Sequence, residues 1–486
     1  MLHKTKNNLA VKEHSMTDNK QMRDEKVKIY TLDEEQCGDK QENIMGTLPM
    51  PKVLAVTSLP IIISMLVQAM YNIVDSIFVA QISEEALTAV SLAFPIQNLI
   101  IAIAMGIGVG MNSLLSKNLG EKRFQDANKA AGNGVFLIIM CALAFALFGI
   151  FGVKLYFTFQ TDNEIIINYG VQYLSVCTVF SFGLFLQTTF ERILQATGKS
   201  IFSMISQLTG AITNIILDPI LIFGLFRAPK LGITGAAVAT VIGQIFAMII
   251  AIILNYAMNK QIRITIQKIK PSAHVIKKIC AVGFPTIVMQ SIGSIMVYTL
   301  NNILMMFSTV AVTVVGIYFK LQSFVFMPVF GFANGLLTII AYNYGARNSK
   351  RITHAIKFSI CISTSIMVIG LILFQIIPDK LLLLFDATPD MMSIGIDALR
   401  IISISFVFAG FCIVCSTVFQ ALGRGMLSLI ISIVRQLGVF LPLAYILACT
   451  LDLHAVWYAF PLADIVSVIL AIIGLRRVYK LKIKKL

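Results

Sequence analysis

Apolar runs long enough to cross a bilayer recur along the chain from residue 53 onward. Lipid offers no water to backbone N–H and C=O groups, so such a chain folds as helices that satisfy their own backbones. Breaks rich in charge or turn residues divide residues 53–478 into twelve segments: 53–80, 87–116, 128–153, 165–190, 199–225, 233–258, 275–306, 312–340, 352–377, 394–420, 425–450 and 454–478. Several exceed the ~20 residues a bilayer requires, which allows tilt or bending. Only 13% of the residues are charged and 57% are hydrophobic, against about 25% charged in soluble globular domains. An ordinary cytosolic enzyme, a disordered chain and a disulfide scaffold are therefore excluded. The expected fold class is an all-α membrane protein with twelve transmembrane helices.

The net charge of +15 would suit nucleic acid if it formed one patch, but its distribution points to a membrane. With the N-terminus placed in the cytoplasm, only Lys154, Arg227, Lys230 and Lys380 fall in outer loops, and Lys320, Arg400 and Arg435 in or near spans. The other 32 of the 39 Lys and Arg then lie in cytoplasmic loops and tails, as the positive-inside rule requires. No nucleic-acid partner is expected. A multi-pass plasma-membrane protein with both termini cytoplasmic is. Residues 1–45 are polar and charge-dense and are expected to form a disordered cytoplasmic tail. The CxxC of Cys412 and Cys415 sits in an apolar run, where cysteine is a small hydrophobe. The five His are scattered, so no metal centre beyond Na+ is expected.

The sequence repeats. An offset of 225 residues places Pro60 on Pro285, Gln97 on Gln322, Gly110 on Gly335, Asn118 on Asn343, Gly120 on Gly345, Gln195 on Gln420 and Gly198 on Gly423. Six spans per half is an even number, so both halves face the same way and a parallel pseudo-twofold relates them. The expected organisation is a six-helix lobe over 46–258, a basic cytoplasmic linker over 259–278, a second six-helix lobe over 279–478 and a basic tail over 479–486. Two such lobes leave a central cleft suited to alternating access.

Ionisable groups within a bilayer are costly and mark function. Asp75 and Asp218 lie five and seven residues from the outer ends of the first and fifth spans, roughly 7–11 Å deep at 1.5 Å per residue. Asn72 and Asn214 stand one helical turn from them on the same faces. Two carboxylates and two amides make an oxygen cage for Na+. Two close carboxylates without a cation repel, so the same pair can hold H+. Pro60 and Pro219 are the hinge candidates, because proline removes a backbone donor within a helix. The second half has no matching acids: Asp75 falls on Leu300 and Asp218 on Leu443. Lys320 and Asp464 lie at similar depth in inward-running spans, which allows a pair. With Gln97 and Gln322 they are candidates for substrate contact or gating. Arg435, nearer the cytoplasmic side, is expected to snorkel.

The segments SLPIIISMLVQAMYNIVDSIFV, SKNLGEKRFQDANKAAGNG, ERILQATGKS, NIILDPILIFG and LGITGAAVATVIGQ resemble the multidrug and toxic compound extrusion (MATE) transporters. YFKLQSFVFMPVFGFANG resembles the MepA-like bacterial branch in particular. The resemblance covers about residues 45–478. It implies efflux of cationic amphiphilic drugs in exchange for Na+ or H+, with no other cofactor. For the DinF-type cation site it implies Asp75, Asn214 and Asp218, with a sixth-span threonine, Thr240 or Thr234. The acidic site that the NorM type carries in its C-terminal lobe has no match. The expected protein is a monomeric secondary-active antiporter that is not an enzyme. The rival reading is a lipid-linked oligosaccharide flippase of the same superfamily, which would need a more cationic cavity.

Overall fold

The computed structural model describes residues 43–264, 270–385 and 387–486, without the side chain of Asn72. The expected polar tail up to residue 42, and residues 265–269 of the expected linker, lie outside the described residues.

Among the described residues, ten helices are each long and apolar enough to span a bilayer, and with each of two bent pairs counted as one span they make the twelve expected. They are α1 (Met50–Ala80), α2 (Glu84–Gly120), α3 (Phe124–Phe151), α4 (Glu164–Val179) with α5 (Phe182–Ala196), α6 (Ser200–Phe223) and α7 (Ile233–Met258). The second set is α8 (Ala273–Met305), α9 (Thr309–Gly345), α10 (Ser349–Ile376), α11 (Pro389–Ser403) with α12 (Ser405–Ala421), α13 (Gly425–Ile433) running on into α14 (Leu441–Thr450), and α15 (Ala459–Val478). The bent pairs α4–α5 and α11–α12 break by 41° and 43°.

The duplication read from the sequence is present in local structure. Ser83 caps α2 through Ala86 N, and its repeat mate Ser308 caps α9 through Ala311 N, both at 3.1 Å. Asn163 and its mate Thr388 cap α4 and α11. A cap hydroxyl or amide oxygen satisfies N–H groups that the first turn leaves free. Lys122 and Arg347 share a left-handed backbone, with φ of 57° and 54°. The contacts are reciprocal too. A Cβ added at Gly120 would overlap the Tyr342 carbonyl oxygen, and one at Gly345 would overlap that of Lys117, the repeat mate of Tyr342. Only glycine permits helices to cross that closely.

These crossings join the lobes. Helix α2 packs on α8 and α9, and α1 on α9. Ser58 Oγ donates to Phe332 O, Asn112 Nδ2 to Thr338 Oγ1 at 3.1 Å, and Ser113 Oγ to Gln420 O. Residues Ile44–Thr47 form a helical turn against the same end, where Arg351 donates to the carbonyls of Met45 and Leu48. The described contacts run from this terminus-bearing end to about mid-span, where Asn98 Nδ2 meets Ser294 Oγ at 2.8 Å. Beyond it, Phe94 on α2 and Tyr298 on α8 are 61% and 71% exposed. The lobes thus close at the terminus-bearing end and separate towards the other.

The halves differ in local structure in the span after each bent pair. Residues Val434–Phe440 form a π-helical turn, whereas the equivalent α6 is α-helical throughout. Helix α1 continues through Pro60, and α6 through Pro219.

Candidate functional site

The N-terminal lobe encloses a cavity of ≈ 100 Å³. Its wall includes Gln68 and Tyr71 of α1, Met105 of α2, Glu191 and Arg192 of α5, Asn214 of α6 and Thr240 of α7. Asn334 of α9 joins from the other lobe. Five of the seven helices of the first lobe, α1, α2, α5, α6 and α7, contribute residues to this wall.

At one side of this cavity lie the expected cation-site residues. Asn214 Nδ2 donates to Asp218 Oδ1 and to Thr240 Oγ1, both at 3.2 Å. The i, i+4 spacing of α6 puts Asn214 and Asp218 on one face, as read from the sequence. Thr240, rather than Thr234, joins them, since Thr234 bonds Gln172 at the surface. Asp218 is fully buried and Asn214 nearly so. The Asp75 carboxyl is within interaction range of Asp218. Gln97 is close by: its Nε2 donates to Tyr173 Oη at 3.1 Å, and Tyr173 and Cys177 interact with Asp75. The Asn72 side chain lies outside the described residues.

Three buried acceptor oxygens in this cluster have no hydrogen-bond donor: Asp75 Oδ1, Asn214 Oδ1 and Asp218 Oδ2. Buried acceptors without partners cost about 1–3 kcal/mol each, so such a cluster calls for a positive ligand. Carboxylate and amide oxygens are the hard donors that Na+ takes, and the carboxylates alone suffice for H+. Among the described residues, no group of three or more His, Cys, Asp or Glu could hold a metal ion.

Two buried charged residues at the cavity floor escaped the sequence reading. Glu191 Oε1 accepts from Gln187 Nε2 at 3.0 Å and Ser206 Oγ at 3.3 Å. Arg192 Nη1 donates to Gln195 Oε1 and, across the lobe interface, to Asn334 Oδ1, both at 3.0 Å. The fourth span was expected to end at residue 190, which assigned this pair to a loop. Helix α5 instead continues to Ala196. The available signal was ILQA, an apolar and helix-forming stretch after the charges.

The second lobe corrects two expectations. Asp464 does not pair with Lys320. Its Oδ1 accepts from Arg435 Nη1 at 2.9 Å. Lys320 is exposed, with its ammonium 5.9 Å from the Phe385 ring centroid. Arg435 does not snorkel to an interface, because the π-helical turn aims it at Asp464 on α15. Gln322 is half-buried on α9, in the lobe opposite the acids. Cys412 and Cys415 are both free thiols.

A duplicated bundle of membrane helices, closed at one end around a polar cavity, defines a membrane transporter by class. The MatE family profile matches residues 60–220 and 285–446, one stretch in each half. The chain belongs to the MatE family of transporters and is not an enzyme. It is 26% identical over 420 residues to "Multidrug export protein MepA" of Staphylococcus haemolyticus, covering 85% of this chain and 90% of that one. It is 25% identical over 411 residues to "FAD transporter" of Shewanella oneidensis, covering 83% and 90%. A solved structure described as the outward-facing conformation of a multidrug resistance MATE family transporter superposes with a TM-score of 0.86 at 26% identity, over 92% of this chain and 99% of that one.

Proposed function

We propose that this chain is a secondary-active multidrug efflux antiporter that exports cationic amphiphilic compounds in exchange for Na+ or H+. It works as a monomer in the plasma membrane with both termini in the cytoplasm, so the separated end of the lobes faces outward. The observation that carries the reading is the set of three partnerless buried oxygens, on Asp75, Asn214 and Asp218, beside the cavity. Coupling follows from competition. A cation or proton entering from outside takes these oxygens, and a drug cation needs the same negative charge to stay in the lobe. Each ligand then lowers the affinity of the other, and linkage makes the effect reciprocal. Thr240 holds Asn214 in register, while Pro60 and Pro219 are the hinge points at which α1 and α6 bend as the site fills. Residues 46–258 and 279–478 move as the two lobes; Met45, expected in the tail, is instead buried in the helical turn Ile44–Thr47, and Ile483 of the expected C-terminal tail is buried as well.

Supporting the antiporter over a lipid-linked oligosaccharide flippase, Arg435 is ion-paired with Asp464, and Arg192 at the cavity wall stands next to the acidic Glu191. The relative named FAD transporter makes a flavin nucleotide a worthwhile competitor in any assay. The test is drug resistance in a host lacking its own exporters. Asp75→Asn and Asp218→Asn, expressed at normal levels, should abolish resistance to ethidium. Full resistance in either variant would overturn the reading.

A further inference from the structure

The wall of the cleft between the lobes carries a lysine that cation exchange leaves unused. That wall follows from the crossings that close the other end. Gly331 of α9 packs on Ile62 of α1, and Gly335 on Ser58. The repeat mates cross in the same way, with Gly106 of α2 on Ile287 of α8. Eleven residues from each crossing towards the separated end lead from Ile62 to Ile73 and from Gly331 back to Lys320. The same step leads from Ile287 to Tyr298 and from Gly106 back to Pro95. Eleven residues make three helical turns within about 20°, and about 16 Å along the axis. Ile73, Pro95, Tyr298 and Lys320 therefore stand on the helix faces that meet the opposite lobe at the crossings.

The exposure of these residues agrees. Ile73 is 43% and Tyr298 71% exposed, and Pro95 and Lys320 are exposed as well. On α9 the exposed residues Gly316, Lys320 and Phe324 recur at every fourth position, so they share one face. The other side of α9 carries Val314, Tyr318 and Leu321, which are buried in the core of the C-terminal lobe. Where the lobes touch, the shared face is packed. Where they separate, it lines the cleft.

Lys320 differs in kind from its three counterparts on this wall, which are isoleucine, proline and tyrosine. Among the described residues it forms no ion pair, and its ammonium rests 5.9 Å from the Phe385 ring centroid. Asp464, the acid at similar depth in the same lobe, is bonded to Arg435. An uncompensated ionisable group at membrane depth is costly and marks function. Ile73 is two residues from Asp75, so Lys320 stands at the depth of the first-lobe acids, across α1 from them. A helix is about 10 Å across. A substrate cation at the acids, or leaving them through the cleft, thus lies within the field of the lysine.

We infer that Lys320 is a specificity-determining residue of the open cleft, where its charge repels cationic substrate. The open state then holds cations more weakly, which favours release over recapture, and it disfavours dications most. Two unit charges about 12 Å apart, at an effective dielectric between those of water and a protein surface, repel enough to change Kd about three-fold. A dication doubles the Coulomb energy and so squares the factor, to about ten-fold. The inference rests on the antiporter reading, which supplies the cation and its outward direction.

The test uses the full-length protein in lipid nanodiscs at low salt, with ethidium, a monocation, and propidium, a dication on the same ring system. Dye fluorescence gives the Kd of each. Lys320 is exposed, so its replacement leaves the core intact. Lys320→Gln should lower the Kd of ethidium about three-fold and that of propidium about ten-fold. Lys320→Glu should lower both further, and Lys320→Arg should keep both near the wild-type values. Raising the salt should shrink every difference. Propidium shifts below about 1.5-fold in both the glutamine and the glutamate variants would overturn the inference. Equal shifts for the two dyes would also overturn it, because charge repulsion cannot treat them alike. Gradient-driven ethidium efflux is scored alongside. Its absence from the wild type would refute the antiporter reading, whereas its presence with unmoved Kd values would refute the role of Lys320 alone.

Discussion

The closed end of the molecule depends on two glycines, and replacing them should shift the balance between states. In Gly120→Ala with Gly345→Ala, each new methyl would overlap a backbone carbonyl, that of Tyr342 or Lys117. A side chain can rotate away from such a clash, but a helix backbone cannot, so α2 and α9 must move apart. Overpacking costs about 1–3 kcal/mol per site. The two sites share one crossing, so their costs do not simply add, and about 3 kcal/mol is a fair total. The gain in helix propensity from glycine to alanine applies in both states and cancels. At 1.4 kcal/mol per ten-fold, the ratio of this state to one with the terminus-bearing end open falls by about a hundred-fold or more. Spin labels at Gln81 and Met306, repeat mates in the loops of the separated end, report the change in a background with the native cysteines replaced. Pulsed dipolar spectroscopy should show the long distance of the wild type replaced by a shorter one. An unchanged distribution in folded protein would refute the argument that these glycines hold the end closed.

Other predictions concern the two ends of the cavity. Thr240→Val removes the hydroxyl that accepts from Asn214, and affinity for the coupling ion should fall about three- to ten-fold by titration of ion-dependent fluorescence. Asp218→Asn removes one of two carboxylates from a buried site. Two unit charges about 4 Å apart at an effective dielectric near 20 attract by about 4 kcal/mol, so ion affinity should drop by about a hundred-fold or more in the same titration. Arg192→Met breaks the bond to Asn334 across the lobes and leaves Gln195 and Asn334 without their charged donor. The wild-type conformer should lose about 2 kcal/mol, seen as a lower thermal midpoint and a shorter distance between labels at the separated end.

Much of the fold was legible because bilayer physics is severe. Span count, span order and the duplication follow from apolar length and the 225-residue offset, and reciprocal pairs such as Gly120 and Gly345 are present in the contacts. The grouping of Asn214 and Asp218 was legible because i, i+4 residues share a helix face whatever the tertiary structure. Partners on different helices were not legible. Lys320 and Arg435 were both available to Asp464, and depth does not tell which way a helix is rotated about its axis. That depends on packing, and here on a π turn with no mark in composition. Glu191 and Arg192 were missed because a charged pair near a span boundary is read as its end. In this chain the charges stay buried by bonding to Gln187, Ser206, Gln195 and Asn334.

The decisive measurement is ethidium efflux from vesicles carrying the purified protein, with a Na+ gradient and a pH gradient imposed separately. Efflux should follow one of the two gradients and be lost in Asp218→Asn. Efflux that ignores both gradients, or that persists at full rate in Asp218→Asn, would contradict the antiporter reading.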